Sequence, residues 1–152
     1  MDADQLLQSL SVALSLPELR FDANGCACLV VEGAPSVNFE RDAAGAIHLY
    51  CVLGPLPPEG REALYVQLLQ GNLFGASTGG ASFAVDPDYG ELVLFRTIMT
   101  ESMSAPLFIS QVEAIVAAAE DWQKRLTTAP LADAQFSAAA AESSLMAQFL
   151  RG

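Results

Sequence analysis

Hydrophobic residues alternate along this chain between helical and strand-like spacing. Leucines recur every three or four positions across residues 4–15, which predicts an amphipathic first helix. Asp2 is placed to cap that helix, Gln5 occupies the capping-box position three residues later, and Pro17 ends the helix. A second periodic segment spans residues 106–126, where apolar residues form one wide stripe that suits packing on a sheet.

Alternation with a period of two, bounded by turn residues, predicts six strands. Four of them occupy the first part of the chain, at residues 19–22, 26–32, 37–41 and 47–53. Two more follow at residues 81–85 and 91–97. Asn24 and Gly25 form the strongest hairpin signal, because both accept positive φ at low cost. The strands and their short turns indicate an antiparallel meander.

A helix predicted over residues 61–72 carries apolar residues on more than one side. Leu64, Leu68 and Leu69 follow the helical repeat, whereas Tyr65 and Val66 add apolar bulk elsewhere. Because a surface helix normally shows a single apolar stripe, we expect this helix to be covered on two sides. In a small protein the second cover is often another copy of the chain. A glycine-rich segment at residues 75–80 then ends the helix.

These elements predict an α+β fold with a twisted antiparallel sheet, three main helices and the order αββββαββα. The predicted domain spans residues 1–128. Residues 129–152 form an alanine- and serine-rich C-terminal tail, interpreted as a flexible terminus or a short helix. An alternative hypothesis is that the apolar end of this tail folds back onto the protein's own partner groove. The residues concerned are Leu145, Met146, Phe149 and Leu150.

Composition and charge favour a protein as the partner. Hydrophobic residues make up 52% of the chain, and the mean hydropathy of +0.34 indicates apolar surface that serves a partner. The net charge of −11 repels phosphate backbones and anionic lipids, which argues against nucleic acid and membranes as partners. The N-terminus lacks the basic region of a signal peptide, and no apolar run is long enough to span a membrane. Three cysteines without secretory features suit a reducing cytoplasm.

Several segments show superficial signs of chemistry. Cys26, Cys28, His48 and Cys51 are zinc-ligand types, but His48 and Cys51 lie three apart on one strand and face opposite ways. The glycine-rich segment follows a helix, whose C-terminal partial negative charge repels phosphate. Asp86 and Asp88 resemble the start of a calcium loop, but the third acid is missing and Thr97 occupies the place of the bidentate glutamate, so residues 86–91 indicate a hairpin turn instead.

Nucleophilic catalysis also lacks support in the sequence. The chain has one histidine, embedded in a predicted strand, and no Gly-x-Ser-x-Gly elbow. No pair of carboxylates lies within an apolar run in a way that would raise a pKa. The sequence therefore predicts a binding protein that is not an enzyme, with no catalytic residues, metal or cofactor. A spatial constellation of distant residues stays open at this point.

An ordered set of short motifs carries a resemblance to a known family. The set begins with Asn-Leu-Phe-Gly at 72–75 and Thr-Gly-Gly-Ala at 78–81, and continues with Asp-Pro at 86–87 and Leu-Val-Leu at 92–94. It ends with Ala-Glu-Asp-Trp at 119–122. This combination resembles class I type III secretion chaperones of the CesT/SycE-like family over roughly residues 1–126.

The resemblance implies a homodimeric chaperone in the bacterial cytoplasm. It would bind the N-terminal chaperone-binding segment of a secreted effector and keep it soluble, extended and competent for secretion. The family's dimer interface, transferred to the matching positions of this chain, implies contacts by Leu64, Leu68, Leu69, Leu73, Phe74, Ser82 and Phe83. The effector-binding residues implied are Leu6, Leu10, Leu14, Leu29, Val31, Val37, Phe39 and Leu49. The alternative is a regulatory protein of the same fold that binds a regulator or a component of the secretion apparatus.

Overall fold

The computed structural model describes residues 1–128, in which a helix, three strands, a helix, two strands and a helix follow one another. These elements are α1 (Ala3–Ala13), β1 (Cys26–Leu29), β2 (Val37–Arg41), β3 (Ile47–Pro55), α2 (Arg61–Asn72), β4 (Ser82–Asp86), β5 (Glu91–Ile98) and α3 (Ala105–Thr128). The predicted α+β class, with an antiparallel sheet and three main helices, is confirmed. The predicted tail, residues 129–152, lies outside the described residues.

All five strands form one antiparallel sheet in the order β1-β2-β3-β5-β4. β1, β2 and β3 are sequential neighbours, as expected for a meander. The chain then passes through α2 to the opposite edge of the sheet. There β4 pairs with the outer side of β5, and β5 pairs with β3. This crossover leaves β1 and β4 as the two edges, whose outer backbone groups are not used by the sheet ladder.

The core lies between one face of the sheet and the helices α1 and α3. Alternate residues of β2 and β3, such as Phe39 and Leu49, are fully buried there. The ring centroid of Phe39 lies 6.4 Å from that of Phe108 on α3. α1 adds the buried side chains of Leu6 and Leu10 and contacts α3. The leucine stripe of α1 is therefore buried in the core.

The capping box predicted for α1 is confirmed. The Gln5 backbone N–H donates to Asp2 Oδ1 at 2.8 Å, and the Asp2 N–H donates to Gln5 Oε1 at 3.0 Å. The helix ends at Ala13, two residues earlier than predicted. Ser15 has a left-handed φ of 56°, which is incompatible with a continued helix and turns the chain back.

Residues 19–22, predicted as a strand, do not join the sheet. The Asp22 side chain accepts hydrogen bonds from the backbone N–H groups of Asn24 and Cys26, both at 2.9 Å, and closes a turn. Leu19, the first residue of this segment, is buried and anchors the segment to the core. The sheet therefore has five strands, one fewer than predicted, and β1 ends at Leu29 instead of residue 32.

α2 packs on the rest of the subunit through one narrow face. Its buried residues are Leu64, Leu68 and Gly71. A Cβ atom at Gly71 would lie 2.7 Å from Cζ2 of Trp122 on α3, so the close approach of the two helices requires glycine. Trp122 also donates from Nε1 to the carbonyl oxygen of Ser77 at 2.8 Å. Within residues 1–128, no element of the same chain supplies the second cover predicted for α2.

Candidate partner-binding surfaces

The uncovered side of α2 joins strand β4 in an apolar surface, called here the α2–β4 surface. Its exposed members are Tyr65, Val66, Leu69, Leu73, Phe74 and Val85. Leu69 exposes 68% of its surface and Phe74 exposes 94%. Between α2 and β4 lies a shallow groove of about 300 Å³, lined in part by the buried Leu68 and Phe83. A cluster of large exposed apolar side chains of this kind is a candidate contact surface.

Local backbone geometry directs Phe74 outward. This residue has a φ of 57°, which is rare for a bulky side chain. Asn72 Oδ1 accepts a hydrogen bond of 2.7 Å from the Phe83 N–H and ties the end of α2 to β4. Ser77 donates from Oγ to the carbonyl oxygen of Gly71 at 3.2 Å. These bonds hold the segment after α2 in place, so the exposure of Phe74 is built into the fold.

A second surface, the α1 groove, lies where the chain reverses after α1 and has a volume of about 660 Å³. Val12 and Leu16 line it, with 73% and 41% of their surfaces exposed. Leu7 and Leu19 also line it but are buried. The groove thus offers an apolar concavity that a narrow segment of another chain could enter.

Hydrogen bonds hold the reversal that shapes the α1 groove. The Leu16 N–H donates to the Ser11 carbonyl oxygen at 2.9 Å, and Ser11 Oγ donates to the Leu16 carbonyl oxygen at 2.7 Å. The Leu16 carbonyl oxygen also accepts a bond of 3.0 Å from the Leu19 N–H. Ser15, in its left-handed conformation, lies inside this set of bonds. The groove is therefore formed by the free subunit, which lowers the cost of binding.

Two arginines lie near the α1 groove. Arg41, at the end of β2, forms an ion pair with Asp4 of α1, which also lines the groove. The Arg41 guanidinium carbon lies 5.3 Å from the ring centroid of Phe21, within range of a cation–π contact. Arg20 lines the groove and is exposed. The groove therefore combines apolar walls with charged groups.

The titratable groups of β3 lie on opposite faces of the sheet. His48 Nε2 lies 3.3 Å from Asp42 Oδ2, and Nδ1 lies 3.0 Å from Thr97 Oγ1. The pKa of Asp42 is lowered, mainly because its carboxylate accepts a hydrogen bond from the Ala46 N–H. Cys51 is fully buried on the core face, and burial raises the pKa of its thiol to about 12. His48 and Cys51 therefore face opposite ways, as predicted.

Two further findings concern residues 1–128 as a whole. Across that range, no three His, Cys, Asp or Glu side chains converge on a position that could hold a metal ion. No helix in the same part of the chain combines the length and apolarity that crossing a bilayer requires.

Comparison with known proteins places the chain in a family. The model of the Tir chaperone protein (CesT) family matches residues 5–123. A Chlamydia pneumoniae protein, CPj0713/CpB0740, is 30% identical over 121 residues, which cover 78% of this chain and 92% of the relative. The chain belongs to the CesT family. The resemblance stated from the motifs is thereby confirmed.

Solved structures share the fold of this CesT-family chain. A chain of the ExsC–ExsE complex superposes with a TM-score of 0.68 at 22% identity, covering 86% of this chain and 100% of that one. A chain of the HopA1–SchA chaperone–effector complex gives 0.63 at 21% identity, with 82% and 92% covered. A chain of the ExoU–SpcU complex, from the type III secretion system of Pseudomonas aeruginosa, gives 0.60 at 21% identity, with 86% and 98% covered.

The residues predicted for a dimer interface divide into two groups. Buried within the subunit are Leu64, Leu68 and Phe83. Exposed on the α2–β4 surface, or on the adjoining edge strand, are Leu69, Leu73, Phe74 and Ser82. The first group supports the surface from beneath, and the second group is available to a partner. Whether this region forms a dimer stays a prediction, and only the second group could contribute to it directly.

Most residues predicted to contact an effector lie in the core. Six of the eight are buried, namely Leu6, Leu10, Leu29, Val37, Phe39 and Leu49. Leu14 is exposed, and Val31 is partly buried against the core. A buried side chain cannot reach a partner without opening of the structure around it, so these six do not form a binding surface. The reason is that one sheet face and the α1 stripe pack against each other and against α3.

The α1 groove uses residues that the sequence prediction passed over. Val12 lies off the leucine stripe of α1, and Leu16 follows the helix end. Both are apolar residues at positions where the helical pattern predicts polar ones or a loop. Val85 and Phe95 were likewise missed, although both are exposed on neighbouring strands. For Val12 and Leu16, the signal that could have found them is their apolar character outside the predicted stripe.

Proposed function

We propose that this protein is a type III secretion chaperone that acts as a homodimer in the bacterial cytoplasm. It binds the N-terminal chaperone-binding segment of a secreted effector and keeps that segment soluble and extended, without catalysing a reaction. The observation that carries the proposal is the presence of two separate exposed apolar surfaces on a CesT-family subunit. One surface suits a second copy of the chain, and the other suits an extended segment.

The α2–β4 surface suits self-association because it exposes six large apolar side chains, and obligate homodimer interfaces are rich in such residues. Covering a Leu or Phe side chain stabilises by about 1.5–3 kcal/mol. A two-fold axis would cover Leu69 and Phe74 twice, once from each copy. The edge strand β4 lies next to them, and apart from the Phe83 N–H, which donates to Asn72, its outer backbone groups lie outside the sheet ladder and face the partner.

The α1 groove suits an extended polypeptide. The segment that lines it, residues 16–21, leads towards the edge strand β1. A bound segment could therefore place apolar side chains between Val12 and Leu16 and continue with backbone hydrogen bonds along the edge beyond Cys26, whose own N–H and carbonyl oxygen bond to Asp22. The cost of ordering such a segment limits the affinity, which suits a partner that must later be released. A chaperone–effector complex among the structural neighbours supports an effector as the partner.

Native mass spectrometry after co-expression with N-terminal segments of candidate secreted proteins tests the proposal. We expect a species with two copies of this chain and one effector segment. A bare monomer would contradict the dimer. A complex with a folded partner that does not depend on the α1 groove would instead favour a role in binding a regulator or a component of the secretion apparatus.

A matched pair of variants assigns the two surfaces. Val12→Asp with Leu16→Asp places charges in the α1 groove and should abolish segment binding while the dimer remains. Leu69→Asp places a charge on the α2–β4 surface and should give a folded monomer. All three positions are exposed, so the fold should tolerate the changes. The assignment of the surfaces is wrong if the two phenotypes are exchanged.

A further inference from the structure

We infer that Arg20 selects partner segments that carry an acidic residue beside their apolar anchors. The inference rests on the proposed function, because it specifies the chemistry of the segment that the α1 groove binds. It adds a charge requirement to a surface that is otherwise described by its apolar residues.

Positive charge is scarce on this chain and is mostly engaged. The sequence has seven Lys and Arg residues against 18 Asp and Glu residues. Within residues 1–128, three basic residues form ion pairs with carboxylates, namely Arg41, Lys124 and Arg125. Two more donate to backbone carbonyl oxygens, namely Arg61 and Arg96. Arg20 is the sixth basic residue of this range, and it makes no hydrogen bond or ion pair with another residue described there.

Local structure directs Arg20 away from the core. Leu19 is buried, and Phe21 packs against the core from a partly buried position. Arg20, between these two anchors, is exposed, and it lines the groove together with Val12 and Leu16. A carboxylate on a bound segment would meet the guanidinium beside the apolar contacts.

The acidic residue that shares the groove does not satisfy Arg20. Asp4 lines the groove but forms its ion pair with Arg41. The guanidinium of Arg20 therefore keeps its full capacity for a bidentate bond to a carboxylate from another molecule. Away from this point, the net charge of −11 disfavours acidic ligands. An acidic residue is thus accepted at one position of the segment and disfavoured elsewhere, which creates selectivity.

Peptide selection tests this role of Arg20 even while the effector is unidentified. A displayed library of random peptides, each about 14 residues long so that it can span the groove in an extended form, is selected on three proteins. These are the wild type, Arg20→Glu and Arg61→Glu, of which the last, at the start of α2, is the matched control. Peptides selected on the wild type and on Arg61→Glu should be enriched in Asp or Glu at one position beside apolar residues. Peptides selected on Arg20→Glu should carry Lys or Arg at that position.

Binding of one selected peptide, followed by fluorescence anisotropy, gives the size of the effect. We expect Arg20→Glu to weaken binding about tenfold or more, and Arg20→Gln to weaken it less. Replacing the peptide's acidic residue with Lys should restore affinity for Arg20→Glu to within about threefold of the original. Circular dichroism of each variant checks that the fold is retained.

The outcomes separate this inference from the proposed function. Peptides that require Val12 and Leu16 but show no acidic preference would overturn the role of Arg20 and leave the groove assignment standing. Peptides that bind regardless of Val12→Asp and Leu16→Asp would overturn both, since the groove would then not be the binding site. The same conclusion would follow if no peptide bound at all.

Discussion

The α2–β4 surface and the α1 groove are both exposed and apolar, but they differ in shape and charge. On the first, Leu69 and Phe74 project from a helix and its end beside a shallow groove of about 300 Å³. The second is a concavity of about 660 Å³ with Asp4 and Arg20 among its lining residues. A broad apolar surface suits a lasting contact with an identical copy, whereas a charged groove can discriminate between segments.

The helices beneath these surfaces show why the two regions differ. α1 packs against both α3 and the rest of the core, so its leucine stripe is covered within the subunit. α2 touches its neighbours through one narrow face that depends on Gly71. The two leucine-rich helices therefore differ in exposure, since the apolar stripe of α1 is covered within the subunit whereas α2 keeps an uncovered apolar side. The number of neighbours, and not the number of leucines, determines which helix leaves apolar surface for a partner.

The largest expected effect separates the buried and exposed leucines near α1. Leu10→Ala should lower the free energy of unfolding by about 2–5 kcal/mol, because it removes a fully buried side chain. Leu14→Ala, at an exposed position, should change it by about 0.5 kcal/mol or less. Urea unfolding followed by circular dichroism measures both. Equal losses would show that the leucine stripe does not pack into the core.

The second-largest effect is expected for a substitution on the α2–β4 surface. Phe74→Asn removes the most exposed apolar side chain and places a residue that tolerates positive φ at this position. Dimer affinity measured by analytical ultracentrifugation should fall at least about 30-fold, since two large contacts are lost from a symmetric interface. The monomer should be no less stable than before. Val12→Asp, in the other region, is the control and should dimerise normally.

Gly71→Ala tests how closely α2 must approach α3. The added Cβ would lie 2.7 Å from Trp122. Overpacking of this kind costs about 1–3 kcal/mol. Because the shift of α2 would carry the α2–β4 surface with it, dimer affinity should also fall. Gln70→Ala on the exposed side of α2 is the matched control. Chemical unfolding of both variants decides whether the helix is held as tightly as the structure shows.

The smallest effect concerns Asp42, in the turn between β2 and β3 and outside both surfaces. Hydrogen bonds from the backbone, chiefly from Ala46, lower its pKa. A lowered pKa in the folded state contributes stability above the unfolded pKa of about 3.9, and that stability is lost as the pH falls through the folded value. Asp42→Asn should therefore melt below the wild type at about pH 7.

The pH dependence gives the second part of that test. The difference in melting temperature between the wild type and Asp42→Asn should narrow as the pH is lowered from about 5 towards about 3. Asp88→Asn, in the β4–β5 turn, serves as the control. Dimerisation and peptide binding should be unchanged in both variants. A difference that widened towards low pH would contradict the sign of the pKa shift.

Local patterns were sufficient for much of the fold. The capping box of Asp2 and Gln5 was predictable because its partners lie three residues apart. The period-two pattern likewise predicted β3 from Ile47 onward. The strand predicted over residues 19–22 was wrong because the apolar Leu19 and Phe21 show the period-two spacing that is typical of a strand. The turn closed by Asp22 is itself local, since its bonds reach only Asn24 and Cys26, whereas the burial of Leu19 outside the sheet depends on tertiary packing.

The sequence by itself determined the class of the fold, its negative net charge and, through its motifs, its family. These depend on periodicity, composition and short ordered segments, all of which are local properties of the chain. Only the tertiary structure decided which apolar residues are available to a partner. Leu10 and Leu69 are the same residue type on two predicted helices, yet one is fully buried and the other is largely exposed. Their exposure depends on packing between segments distant in sequence, which local periodicity does not specify.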